Sequence, residues 1–136
     1  MKRYIGFFII LYFFLQLSNI TYAQDDRWIF MGAGDFSEMY LDKSSVECDG
    51  YGNIDAWLKV YCLADCKEVF GKKVDYKLFK YKYYLGRRKK LMLHYAAYFI
   101  NSDVFSNEVI GELEDILPET IHEVIYNFII ENYSCK

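Results

Sequence analysis

The stretch Ile54-Asp55-Ala56-Trp57-Leu58-Lys59-Val60-Tyr61-Cys62-Leu63 decides the fold. Its side chains sort by alternate positions: Ile54, Ala56, Leu58, Val60 and Cys62 fall on one side, Asp55, Trp57, Lys59 and Tyr61 on the other. Successive residues of an extended chain point to opposite faces, so this period of two specifies a strand with one apolar and one amphipathic side. Val74 to Leu85 repeats the pattern, with Phe79, Tyr81, Tyr83 and Leu85 against Tyr76, Leu78, Lys80, Lys82 and Tyr84. The polar run Ala64 to Lys73, which holds Gly71, reads as the loop between them. Gly86-Arg87-Arg88-Lys89 turns the chain again, and Lys90 to Ile100 returns as a strand. Leu91, Leu93, Tyr95, Ala97 and Phe99 form one of its faces; Met92, His94, Ala96, Tyr98 and Ile100 form the other. Both are largely apolar, which suits a central or doubly covered strand.

Working outward, Arg27 to Met31 is a short aromatic strand ended by the turn cluster Gly32-Ala33-Gly34-Asp35. Glu38 to Leu41 is a second strand, closed by Asp42-Lys43-Ser44, and Ser45 to Cys48 continues extended. Asp49-Gly50-Tyr51-Gly52-Asn53 supplies positive-φ positions and reads as a hairpin connection. Asn101 to Leu117 is polar and acidic, with a helical turn expected around Glu108 to Leu113. Pro118 is expected to open a helix of about 15 residues, Pro suiting the first helical position and Glu119 and Glu123 the positive end of the dipole. Ile121, Val124, Ile125, Phe128 and Ile129 make its apolar stripe, with His122, Glu123, Asn127 and Glu131 on the polar side. The fold class is therefore α+β: an antiparallel meander sheet of about five or six strands with one C-terminal helix packed on a face.

Residues 1–23 read as a secretory signal peptide and 24–136 as a single domain. Lys2 and Arg3 give the positive start, and Ile5 to Leu17 the apolar run. Thr21-Tyr22-Ala23 is the small-residue site, with cleavage expected between Ala23 and Gln24. The run is shorter than the ~20 residues that span a bilayer, so membrane contact is expected during export alone. No Cys follows it, so the sequence carries no lipid-attachment cysteine of its own. The expected location is the periplasm or the cell surface.

The whole chain has 16 basic and 19 acidic residues, 54% hydrophobic and 20% aromatic content, and two His. Such a balance argues against disorder and against a nucleic-acid binder, and so few His exclude most His-based metal and triad chemistry. The charge is segregated. Residues 24–66 hold 3 basic and 9 acidic residues, Lys67 to Lys90 10 basic and 2 acidic, and Leu91 to Lys136 1 basic and 8 acidic.

Several pieces together resemble the surface-adhesin protein E family of bacterial exported proteins. They are the leader followed by Trp28-Ile29-Phe30, then Tyr40-Leu41-Asp42-Lys43-Ser44-Ser45-Val46, and Ala56-Trp57-Leu58-Lys59 within Gly52 to Lys59. Lys77 to Leu93 resembles the family's aromatic strand and basic turn, and Pro118-Glu119-Thr120 with Cys135 its helix and near-terminal Cys. The resemblance runs from Trp28 to Cys135 and implies a small sheet-plus-helix domain, sometimes dimeric, that adheres to host matrix proteins. Family members commonly carry a Cys before the basic turn, where this chain has Tyr81-Lys82-Tyr83-Tyr84.

Four cysteines in an exported domain suggest disulfides, and Cys48, Cys62, Cys66 and Cys135 allow three connectivities. A pair joining Cys135 to a sheet cysteine would staple helix to sheet. The C-x3-C spacing of Cys62 and Cys66 is a weak metal signal, and no cofactor is expected. Arg87, Arg88, Lys89 and Lys90, backed by Lys80 and Lys82, form the candidate partner-binding tip for an acidic polymer or a host matrix protein. The competing expectation pairs those cations with the acidic C-terminal segment or places them on a solvated hairpin. The tyrosines offer contact area or core packing, and His94 and His122 read as structural. Nothing in the sequence carries a catalytic signature. The expected function is non-catalytic binding in the cell envelope, with a periplasmic accessory role through homodimerisation as the alternative.

Overall fold

A computed structural model describes residues 26–63, 68–101, 103–109 and 111–135. The expected leader and its Ala23–Gln24 cleavage site lie outside the described residues, as does Cys66. The strands are β1 (Trp28–Ala33), β2 (Ser37–Asp42), β3 (Glu47–Cys48), β4 (Asn53–Cys62), β5 (Val74–Tyr84), β6 (Lys89–Phe99), β7 (Val104–Glu108) and β8 (Glu114–Asp115). Helix α1 spans Ile121–Asn132. All pairings are antiparallel, in the order β1-β2-β4-β5-β6-β7, with β3 beside β4 and β8 beside β6. The meander sheet with one C-terminal helix is thus the observed architecture.

The corner between β2 and β3 explains the Tyr40 to Val46 stretch. Asp42, fully buried, accepts from the Ser44 amide (3.1 Å), the Ser44 hydroxyl (2.6 Å) and Arg27 Nε (2.8 Å). Ser45 Oγ donates to the Asp42 carbonyl and accepts from the Trp57 amide, both at 2.8 Å. These bonds wind Lys43–Ser45 into a single 3-10 turn, so that β2 and then β3 flank the same strand, β4. The next connection is held by Asp49, whose carboxylate accepts from the amides of Tyr51 and Asn53 while Gly50 and Gly52 take φ of 79° and 82°.

Leu41, Ile54, Ala56, Leu58 and Tyr83 are fully buried beneath Ile125 and Ile129 of α1, and Met31 and Ile116 close the core. A smaller cluster of Val74, Ala97 and Phe99 lies at the other end of the sheet. Three expectations are corrected here. First, Val104–Glu108 is a strand, and none of the described residues between Glu108 and Leu113 is helical, because β6 offers the segment a free edge from Tyr98 to His94. Second, Pro118 precedes the helix. Thr120 is the N-cap, its hydroxyl accepting from the Glu123 amide, and Glu119 takes a φ of +60° outside the first turn, leaving a helix of 12 residues. Third, the faces of β6 do not alternate throughout. Lys80 pairs His94 while Tyr81 pairs Met92, so Leu93 is a bulge. The bulge puts Met92 and Lys90 on the helix side with Tyr95, Ala97 and Phe99, and Leu91 on the open side with His94, Ala96 and Tyr98.

Candidate functional site

The basic turn was the first candidate, and the structure distributes its residues over two faces. Lys90 opposes Tyr83 on the helix side, where it is buried and its ammonium reaches Glu114. Lys89 faces the open side and pairs with Asp115 at 2.9 Å. Arg88, at φ +50°, pairs with Glu123 in the first turn of α1. Lys82 lies 3.0 Å from Asp49 and 3.5 Å from Asp55, and Lys80 3.6 Å from Asp55. Arg87 is exposed and makes no ion pair among the described residues. The acidic C-terminal segment thus neutralises Arg88, Lys89 and Lys90, and two carboxylates before and within β4 neutralise Lys80 and Lys82. The hydrogen bond from Lys90 holds the Glu114 carboxyl below its ordinary range. The Asp49 hydrogen bond holds Lys82 above its own.

Cys48 and Cys135 form a disulfide, with Cα atoms 5.6 Å apart. It ties β3 to the short segment after α1, three residues beyond Asn132, the staple of helix to sheet that the sequence left among three connectivities. Cys62 is also disulfide-bonded. Among the described residues, no group of three or more His, Cys, Asp or Glu is placed to hold a metal ion. No helix among them is long and apolar enough to cross a membrane.

Both histidines are engaged. His94 meets Ser106 Oγ at 2.6 Å and the Trp57 ring at 5.3 Å. His122 was expected on the polar side of the helix, yet it turns to the sheet, with Nδ1 3.2 Å from the Tyr83 hydroxyl and its ring against Tyr81. Burial, aided by the nearby Lys90 charge and opposed by Glu114, lowers its pKa to about 4, so it is neutral at pH 7. The helix stripe is rotated accordingly: Ile125, Tyr126 and Ile129 are buried, whereas Val124 is 49% exposed.

The other side of the sheet carries the arrangement that sequence reasoning divided among separate strands. Phe30 of β1, Tyr40 of β2, Tyr61 of β4, Tyr76 of β5 and Tyr98 of β6 are partners or near neighbours in the register. Their rings follow one another at centroid distances of 5.4, 5.7, 5.6 and 4.4 Å, a row crossing five adjacent strands. Lys59 stands beside the row with its ammonium 3.8 Å from the Trp28 ring and 5.3 Å from those of Tyr61 and Tyr76. None of the described elements packs over this face; α1 occupies the opposite one. The signal in the sequence was an aromatic residue at one outward position of each strand, but alignment into one row required the strand registers.

The row supplies flat area, hydroxyls and one cation free of carboxylate partners among the described residues. Compared with known proteins, the chain matches no family model, no curated protein and no solved structure.

Proposed function

We propose that this protein is an exported, non-catalytic binding domain that holds a protein partner on the open face of its sheet. The observation that carries the reading is the five-ring row with Lys59 beside it. Tyr and Trp are enriched where proteins meet, because they bring large apolar area and a hydrogen-bonding tip at small entropic cost. The disulfide between Cys48 and Cys135 fits an oxidising compartment outside the cytoplasm. The resemblance to the surface-adhesin protein E family supports a host matrix protein as the partner class. Neutralisation of five of the six basic-turn cations favours the aromatic face over the turn as the contact surface, and a protein over an acidic polymer.

The test measures binding to an immobilised basement-membrane extract and to immobilised heparin. Tyr61→Ser with Tyr76→Ser should reduce binding to the extract at least tenfold while circular dichroism stays that of the native fold. Arg87→Ser should leave it within twofold. Undiminished binding by the tyrosine variant, or heparin binding abolished by Arg87→Ser, overturns the assignment.

A further inference from the structure

We propose that the end of the sheet carrying the β1–β2, β4–β5 and β6–β7 connections docks on a phospholipid bilayer, with Phe36, Phe70 and Ile100 reaching into its apolar layer. In an antiparallel meander every second connection falls at the same end, so these three, far apart in sequence, share one rim. They also touch. The Leu63 amide donates to the Phe36 carbonyl at 3.0 Å, the Ile100 amide donates to the Lys73 carbonyl at 3.2 Å, and the Phe70 and Phe105 rings lie 5.2 Å apart. Phe36 is 63% exposed, Phe70 76% and Ile100 68%, and Leu63 and Val104 are also more than half exposed. Apolar side chains scattered singly over a surface need no explanation, but five gathered at one end mark an interaction site.

Phe70 is held out by its backbone. Val69 and Lys72 exchange both backbone hydrogen bonds at 3.1 Å, closing a two-residue turn in which Phe70 and Gly71 take φ of 53° and 73°. A turn with both central residues at positive φ favours Asn-Gly or Asp-Gly, and a bulky side chain there is strained. Here the strained residue is aromatic and mostly in water, which neither turn preference nor core packing favours. Strain of this kind persists at sites of function.

The polar groups of the rim fit a phosphate headgroup. Lys72, Lys73, Ile100 and Asn101 line a groove of about 340 Å³. Lys72 is paired with Asp103, whereas Lys73 is exposed and has no carboxylate partner among the described residues. An ammonium beside a protruding Ile suits a lipid surface, the cation at the phosphate and the apolar side chain one layer deeper. Asp35, Glu68 and Asp103 belong to the same three connections, so net charge adds little attraction and burial of apolar area drives the docking. Backbone groups of a turn cannot enter hydrocarbon without hydrogen-bond partners, so the turns stay at headgroup level and only side chains pass it. The membrane is then a lasting partner rather than one met during export alone. The inference does not need the adhesive reading, because vesicle binding and binding to the matrix extract are measured separately.

The test is flotation of the exported protein with vesicles of phosphatidylglycerol and phosphatidylethanolamine in equal parts. The wild type should float, and should still float at about 1 M salt, where the screening length is about 3 Å. Phe70→Asn removes the ring yet suits the turn better. It should lower vesicle affinity about tenfold, as expected for one Phe side chain left in water, while the melting temperature holds or rises. If Phe70 served only to pack on Phe105, the variant would melt lower and float unchanged. Phe70→Trp should be quenched by brominated acyl chains, and Tyr51→Trp, in the connection between β3 and β4 at the opposite end of the sheet, should not. A wild type that stays in solution overturns the proposal, including one whose binding to the matrix extract is lost in Phe70→Asn. So does flotation that Phe70→Asn leaves intact, or quenching that is equal at the two tryptophans.

Discussion

Replacing Cys48 and Cys135 together by Ser removes a bridge that spans 87 residues of sequence. Most of the described structure lies within that loop: β4 to β8 and the whole of α1. In the chain-entropy account, closing a loop of that length restricts the unfolded ensemble by about 4.6 kcal/mol, and bridges in small exported domains contribute about 2–5 kcal/mol. Cys135 also packs against the core beneath the helix, so its replacement loses some apolar contact as well. Set against a total stability of about 5–15 kcal/mol, the loss leaves a folded but marginal domain. Equilibrium urea unfolding followed by tyrosine fluorescence measures it. With a slope near 1.5 kcal/mol/M, the midpoint should fall by about 2–3 M, and the slope should rise because an unbridged chain expands further. Substitution is the right perturbation, since a reductant would also open the bond at Cys62. A midpoint within about 0.3 M of wild type would mean that the helix is held by packing alone and that the bridge restrains nothing the unfolded chain explores.

Two further outcomes follow from buried titratable groups. His122 has an ordinary pKa of 6.5 when unfolded and about 4 when folded. As pH falls through that window the unfolded chain takes a proton that the folded one refuses, so stability should drop by up to about 3 kcal/mol. His122→Phe should flatten the curve from pH 7 to about 5, as read by thermal melts; an unchanged slope in the variant refutes the burial argument. Below that window, stability should keep falling as Glu114 and Asp42, whose folded pKa values are lowered, become protonated. For Asp42, burial alone would raise the value, but the bonds from Arg27 and Ser44 outweigh it. Asp42→Ala removes the acceptor that organises the β2–β3 corner and should cost about 3 kcal/mol by chemical denaturation. A cost below about 1 kcal/mol would show that the corner forms without its carboxylate.

Strands β4 and β5 were legible because alternation is a local property: each residue's side is set by its neighbours along the chain. The hairpin connection at Asp49–Asn53 was legible for the same reason, its glycines and Asx side chain acting within four residues. Leu93 defeated the same reasoning in β6, since a bulge depends on how two strands share hydrogen bonds, and everything beyond it changes face. The helix start was misplaced by the usual preference of Pro for the first turn, although Thr120 and Glu123 stood at capping-box spacing. His122 turned inward because Tyr81 and Tyr83 lie below it, a fact of packing between residues some forty positions apart.

The sequence by itself determined the strand-rich meander, the closing amphipathic helix and the segregation of charge, since composition and short-period patterning are written in adjacent residues. Tertiary structure decided the partners. It chose Cys48 for Cys135, joined Arg88, Lys89 and Lys90 of the basic turn to carboxylates, and brought five aromatic residues from five strands into one row. Those choices depend on register and on the angle at which the helix meets the sheet. Both are set by the simultaneous burial of distant side chains, which no local window contains.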